Sequence, residues 1–339
     1  MRGASAGRPG EVEIIEFPEP ELGEGEVILS PLACGICTTD VKFVMKGMTD
    51  TRYALGHELA GVITEASPSS GWTTGKKVIA APYLPCGACY YCLHNQPTLC
   101  TRLYESSPIP GALAERVKIP RDLAQRGLFE IPDGLDPVTA TLSEPLGCVI
   151  QGLEACRFTP GSSLLIVGDG PMGLINAAAA RAWGAYPIIV SGMLEHRLEI
   201  AHRHYADFVV DVTREDLAGK VMSLTGGRGA DVVMVAVSSG EALEAGIQCV
   251  RPGGAVNSFA GVPDGTIINL DVRKLHYKQY FLTGSSGVAP IHLRQALQLL
   301  SSCRVKPEPL ITARFSFDAT AEAVAYAAGR VGLKAVVIF

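Results

Sequence analysis

The sequence predicts an α/β chain built from two domains, one β-rich and irregular, the other a doubly wound parallel sheet. Three observations carry this. The chain has 339 residues, enough for two domains at roughly 100 to 200 residues each. Its first 150 or so residues read as short strands broken densely by Gly and Pro. Beyond Pro160, short apolar runs alternate with helical stretches, the pattern of a parallel sheet with crossover helices.

Taken in order, Glu11-Val12-Glu13-Ile14-Ile15 alternates as a strand, and Gly25-Glu26-Val27-Ile28-Leu29 is extended. Residues 56–64 and 76–82 also read as strands. Leu164-Leu165-Ile166-Val167 is a buried strand ending in Gly168, followed by an Ala-rich helix from Leu174 to Trp183. Pro187 to Val190 gives a second strand and Glu195 to Tyr205 a second helix. Asp231 to Ala236 and Gly254 to Phe259 continue the alternation. A helix from Ile291 to Leu300 follows, and Ala335 to Phe339 closes the chain as an apolar strand. The nucleotide-type domain is expected over 151–285, inserted between 1–150 and 286–339 of the β-rich domain.

Composition narrows the function. With 29 basic and 34 acidic residues the net charge is −5, and no long run of one sign occurs. Nucleic acid and anionic membranes are therefore not expected partners. No apolar stretch is long enough to span a bilayer, and MRGASAGRPG has no signal-peptide core, so a cytoplasmic protein is expected. In a reducing compartment, the 10 cysteines point to metal binding before disulfides.

Cys86, Cys89, Cys92 and Cys100 form C-x2-C-x2-C-x7-C. Four thiolates on such short loops can converge at tetrahedral zinc, and Gly87 and Ala88 leave room for the turns. A site closed by four ligands is structural rather than catalytic. An iron–sulfur cluster is the rival occupant of the same donors.

Three separated groups can build a second, open metal site: Cys34-Gly35-Ile36-Cys37-Thr38-Thr39-Asp40, Gly56-His57-Glu58-Leu59-Ala60-Gly61 and Leu142-Ser143-Glu144-Pro145-Leu146. Catalytic zinc takes three protein ligands and keeps one position open. A thiolate, an imidazole and a carboxylate supply such a set. Gly168-Asp169-Gly170-Pro171-Met172-Gly173 reads GxGxxG between a strand and a helix, the context a dinucleotide loop requires.

In this order, CGICTTD, GHELAG, the four-cysteine lobe, SEPLG and GDGPMG resemble the zinc-dependent medium-chain dehydrogenase/reductase superfamily, nearest its sorbitol (polyol) and threonine dehydrogenase-like branch. The resemblance covers essentially the whole chain. It implies a GroES-like catalytic domain, with a structural-zinc lobe at about 84–104, joined to a Rossmann domain. Cys37, His57 and Glu144 are implied as ligands of catalytic zinc, with Glu58 exchanging in or bridging through water; Glu58 is itself a direct ligand in some relatives. Cys34 is expected to be a small buried residue. Asp40 matches the carboxylate that orients the ligating imidazole. Thr39 matches the hydroxyl that bonds the substrate oxygen and passes its proton on.

The activity so implied is oxidation of a secondary alcohol to a ketone, with zinc as Lewis acid and NAD or NADP accepting the hydride. Where relatives often carry a proton-relay His, this chain has Lys42, expected to be a solvated surface residue. Gly168, Gly170, Pro171, Met172 and Gly173 are the expected pyrophosphate cradle. The acid usual at the end of the second strand is replaced by Gly192. Its loss removes a repulsion against a 2′-phosphate, and Ser191, His196 and Arg197 lie nearby, so both cofactors stay open.

Glu at the third-ligand position suggests a polyol, cyclitol or sugar alcohol. An amino alcohol of threonine type, a cofactor-recycling epimerase or lyase, and a catalytically silent binding protein are the alternatives. A homo-oligomer, dimer or tetramer, is implied by the resemblance, with edge strands around 250–290 as the expected contact.

Overall fold

The computed structural model describes residues 1–47 and 52–339. Two compact units are distinguished: residues 1–147, 288–303 and 310–339 form the first, and 148–287 with 304–309 the second.

In the first unit, β1 (Arg2–Ser5) and β2 (Glu13–Glu16) pair antiparallel. The larger sheet contains β3 (Val27–Gly35), β4 (Glu58–Ala66), β5 (Lys77–Ala80), β6 (Val117–Ile119) and β7 (Leu128–Glu130). Two strands from the far end of the chain, β14 (Ile311–Ser316) and β15 (Lys334–Ile338), complete it. The order is β14-β15-β3-β4-β5-β7, with β6 pairing β3. Strand β3 runs through Pro31, which lacks a donor N–H, and the register with β4 shifts between Pro31 and Ala33. The extended stretch expected at 25–29 therefore continues to Gly35.

Register places the functional residues. Gly35, the last residue of β3, faces Glu58, the first of β4, and pairs on its other side with Val336 of β15. The ends of three strands thus meet where Cys37, His57, Glu58 and Lys334 emerge.

In the second unit, β8 (Leu164–Val167), β9 (Ile188–Gly192), β10 (Phe208–Asp211), β11 (Ala230–Val235), β12 (Val250–Ser258) and β13 (Phe281–Gly284) form one sheet. All its pairs are parallel, and the order is β10-β9-β8-β11-β12-β13. That is the 3-2-1-4-5-6 winding of a dinucleotide-binding sheet. The Leu-Leu-Ile-Val run of β8 is buried at every position, as a central strand covered on both faces must be. Leu165, Ile189, Val233 and Val256 join one apolar core with Ile247 of the helix Gly240–Cys249. The expected strand–helix alternation is found with boundaries moved by a few residues; β10 and β13 add strands the pattern did not announce. Among the described residues, no helix is long and apolar enough to cross a membrane.

Candidate active site

Cys37 lies just before the helix Thr38–Lys46. Asp40, in the first turn of that helix, is 1% exposed. Its Oδ2 accepts the Cys37 N–H at 2.8 Å and its Oδ1 the Gly56 N–H at 3.0 Å. The same Oδ1 lies 3.6 Å from His57 Nδ1. One carboxylate thus ties the thiol loop to the backbone of the imidazole loop and lies on the Nδ1 side of the His57 ring.

Burial alone would raise the Asp40 pKa, but the charge of His57 and the two backbone donors outweigh it and leave the carboxyl below its ordinary value. For His57, burial opposes the charged ring, yet Asp40 and Cys37 overcome this and push its pKa well above the usual imidazole range. A field that attracts a proton so strongly also attracts a metal cation, which competes for the same lone pair.

Glu58 is fully buried. Its Oε1 is ion-paired with Lys334 Nζ, and its Oε2 has no hydrogen-bond partner. Gly35 makes room for this carboxylate: a Cβ there would lie 2.0 Å from Glu58 Oε2. Donor atoms of Cys37, His57 and Glu58 all fall within 4.8 Å of one another. A thiolate, an imidazole and a carboxylate oxygen without another partner suit tetrahedral zinc with one open position.

Glu144, expected as the third ligand, falls outside that group. It sits in the first turn of the helix Ser143–Ala155 and is 9% exposed. Its charge, with those of Glu58 and Cys37, opposes the effect of burial on Lys334 and raises the lysine's pKa. The carboxylate the structure brings to the thiolate and imidazole is Glu58.

Thr39, two residues past Cys37 in the chain, is exposed, and Lys42 is also exposed, as expected for a solvated lysine. Cys34 is fully buried, and burial drives its thiol pKa far up, so it behaves as a small core residue.

Lys334 was not singled out from sequence. It is 3% exposed, and its Nζ also donates to the Ile36 carbonyl at 2.9 Å. A lone lysine opening the apolar run Ala335-Val336-Val337-Ile338 reads as a solvated strand end. Only the pairing of β15 with β3 reveals that it points inward.

The sulfurs of Cys86, Cys89, Cys92 and Cys100 likewise lie within 4.8 Å of one another. Backbone N–H groups point at them: Ala88 and Cys89 donate to Cys86 Sγ at 3.4 and 3.3 Å, and Cys86 and Arg102 to Cys100 Sγ at 3.3 Å. Such donors stabilise thiolates. Backbone N–H groups of Cys92 and Thr101 bring the Cys89 pKa down to about 6, whereas burial lifts Cys92 to about 12. Gly87 turns the loop at φ +78°, the left-handed region that a glycine adopts without strain.

In the second unit, the glycine loop has the shape a dinucleotide cradle needs. A Cβ on Gly173 would lie 1.9 Å from the Gly168 carbonyl oxygen, so only glycine lets the helix Pro171–Ala182 start this close to β8. Pro171 occupies the first helical position, where a missing N–H costs nothing. The Met172 carbonyl accepts the side-chain amide of buried Asn176 at 2.8 Å. Arg197 is 4% exposed, with Nη1 3.9 Å from where a Gly170 Cβ would stand. Ser191 is 1% exposed and donates its hydroxyl to the Ile166 carbonyl at 3.2 Å. His196 is exposed.

Fold and sites together define a metal-dependent oxidoreductase that works with a nicotinamide dinucleotide. Residues 23–133 match the alcohol dehydrogenase GroES-like domain, and residues 171–302 the zinc-binding dehydrogenase domain. The chain belongs to the zinc-dependent alcohol dehydrogenase family of medium-chain dehydrogenases. It is 33% identical to L-threonine 3-dehydrogenase of Pyrococcus furiosus over 92% of this chain and 90% of the relative. It is 29% identical to sorbitol dehydrogenase of Bacillus subtilis, over 96% and 92%. A zinc-binding dehydrogenase from Sinorhizobium meliloti, bound to NADP, superposes with TM-score 0.88 at 26% identity, covering 100% of this chain and 99% of that one.

Proposed function

We propose that this dehydrogenase oxidises a secondary alcohol of polyol, cyclitol or sugar-alcohol type to the ketone, passing the hydride to NAD or NADP. The observation that carries the reading is the meeting of Cys37, His57 and Glu58 donors, with Glu58 Oε2 left unpartnered.

Cys37, His57 and Glu58 would hold the catalytic zinc, and Cys86, Cys89, Cys92 and Cys100 a structural one. When bound, the catalytic ion supplies Lewis acidity toward the hydroxyl oxygen. The chain's own residues do the rest. Asp40 fixes the ring of His57 and the backbone of Cys37. Lys334 anchors Oε1 of Glu58 by their buried ion pair and leaves Oε2 toward the site. Glu144 adds negative charge on the lysine side and is the carboxylate that would exchange with Glu58 as ligand. Thr39 takes the hydroxyl proton and hands it to solvent as the carbinol C–H bond breaks and its hydride leaves. The glycine loop and the first turn of the helix Pro171–Ala182 present N–H groups to the pyrophosphate. A homo-oligomer is part of the proposal, with β13 as the free edge of the six-stranded sheet and Phe281 exposed on it.

The second reading, an amino alcohol of threonine type, is favoured by relatives named L-threonine 3-dehydrogenase at 29–33% identity. A panel of sugar alcohols, cyclitols, L-threonine and simple secondary alcohols, each with NAD and NADP, separates the readings by the growth of reduced-cofactor absorbance. Turnover confined to L-threonine overturns the polyol proposal. Turnover of none of these, with reduced cofactor retained through purification, would favour an enzyme that recycles its cofactor.

A further inference from the structure

The carboxylate missing from the end of the second sheet strand is supplied by another part of the chain. In dinucleotide-binding sheets, an acid at that strand end accepts hydrogen bonds from the adenosine ribose hydroxyls and repels a 2′-phosphate. Here β9 ends in Gly192. A Cβ built on Gly192 would lie 2.3 Å from Asp169 Oδ2 and 2.4 Å from Asp169 Cβ. The Asp169 side chain, rising from the glycine loop, therefore fills the space that a side chain at 192 would enter. Its Oδ2 accepts the Met193 and Leu194 N–H groups, each at 2.8 Å, so the carboxylate is held and not merely nearby. It remains partly exposed and can still accept from a ligand.

We infer that Asp169 is the cofactor-selecting residue, a carboxylate moved from the strand end to the glycine loop, and that it makes the enzyme prefer NAD(H) over NADP(H). Gly192 is its necessary complement, because any side chain there would displace it. The opposing charge in this corner is Arg197. Its guanidinium is 4% exposed and packed by Gly170, whereas Asp169 has open surface; the more exposed charge meets the ribose substituent first. Ser191 is no rival, since its hydroxyl is buried against Ile166.

The inference rests on the reading of this loop as the dinucleotide site, and the test separates the two. Dissociation constants for NADH and NADPH are measured on the zinc-loaded protein, from nicotinamide fluorescence, at fixed ionic strength. Wild type should bind NADH more than about tenfold tighter, since juxtaposed like charges cost at least that much. Asp169→Asn keeps an oxygen acceptor for the two N–H groups and removes the charge; it should lower the NADPH constant and shrink the preference about tenfold or more. Asp169→Gly combined with Gly192→Asp returns the acid to the strand end and should keep the NADH preference. This pair guards against misfolding of the single variant. Equal or tighter NADPH binding by wild type overturns the inference, as does an unchanged ratio in Asp169→Asn. Failure to bind either nucleotide overturns the loop assignment itself.

Discussion

Replacing Lys334 with methionine would leave the Glu58 carboxylate facing a hydrocarbon where an ammonium stood. Glu58 is fully buried and Lys334 is 3% exposed, so water cannot take over the role. Removing one partner of a buried ion pair typically costs about 3–5 kcal/mol, because the remaining charge is uncompensated. For a unit of this size each kcal/mol lowers the melting temperature by about 2–4 °C, giving a fall of about 6–20 °C in metal-depleted protein. Zinc on the Cys37–His57–Glu58 group would restore a positive neighbour, so the fall should be smaller in zinc-loaded protein. Lys334→Arg keeps the charge and should lie between the two. The assay is thermal unfolding by circular dichroism at pH 7 with a fixed scan rate. A fall of less than about 2 °C in the metal-depleted Lys334→Met protein would refute the reasoning, as would equal falls with and without zinc.

Other outcomes follow from the same geometry. Gly35→Ala would drive a methyl into Glu58 Oε2; zinc affinity of the open site should fall at least about tenfold, read by competition with a chelator, while the four-cysteine site keeps its ion. Cys92→Ser should release the structural zinc and lower stability, because four-thiolate sites contribute folding energy; full zinc content and an unchanged melt would contradict the assignment. Burial would raise the Asp231 pKa, but Ser163 and Arg251 overcome it and hold it below its ordinary value. A lowered folded pKa gives stability that is complete above the unfolded value of about 3.9 and is lost as pH falls through the folded one. Asp231→Asn should therefore flatten the acid limb of urea unfolding below about pH 4, with little change in its slope near neutrality.

Much of this was legible in the sequence because the signals were local. Leu164–Val167 followed by GDGPMG announces a strand, a tight turn and a helix within ten residues. The four cysteines span 86 to 100 and need no long-range contact to be read together. GHE and the Cys37 loop were legible as ligand-bearing loops, although their meeting depends on the pairing of β3 with β4. What stayed hidden depends on register between distant segments. Lys334 and Glu58 are 276 positions apart, and the strand carrying the lysine looks wholly apolar from its second residue onward. That Glu58 is the carboxylate lying over Gly35 and near the Cys37 and His57 donors is a steric fact with no sequence pattern. Likewise Gly192 looked like a lost acid; Asp169 appeared as the variable residue of a glycine motif, and only the structure shows that its carboxylate fills the space beside Gly192. β1 escaped notice because Arg2-Gly3-Ala4-Ser5 has almost no β-branched or aromatic residues.

The most direct measurement of the central claim is zinc per chain alongside alcohol oxidation, in wild type and in Cys37→Ala. Two groups among the described residues have donor atoms close enough to hold a metal ion, so wild type should carry two zinc ions and turn over an alcohol of the proposed class. Cys37→Ala should keep one zinc, its fold by circular dichroism and its NADH binding, while turnover vanishes. Undiminished turnover in a Cys37→Ala protein that has lost one zinc would contradict the claim that the Cys37–His57–Glu58 group performs the chemistry.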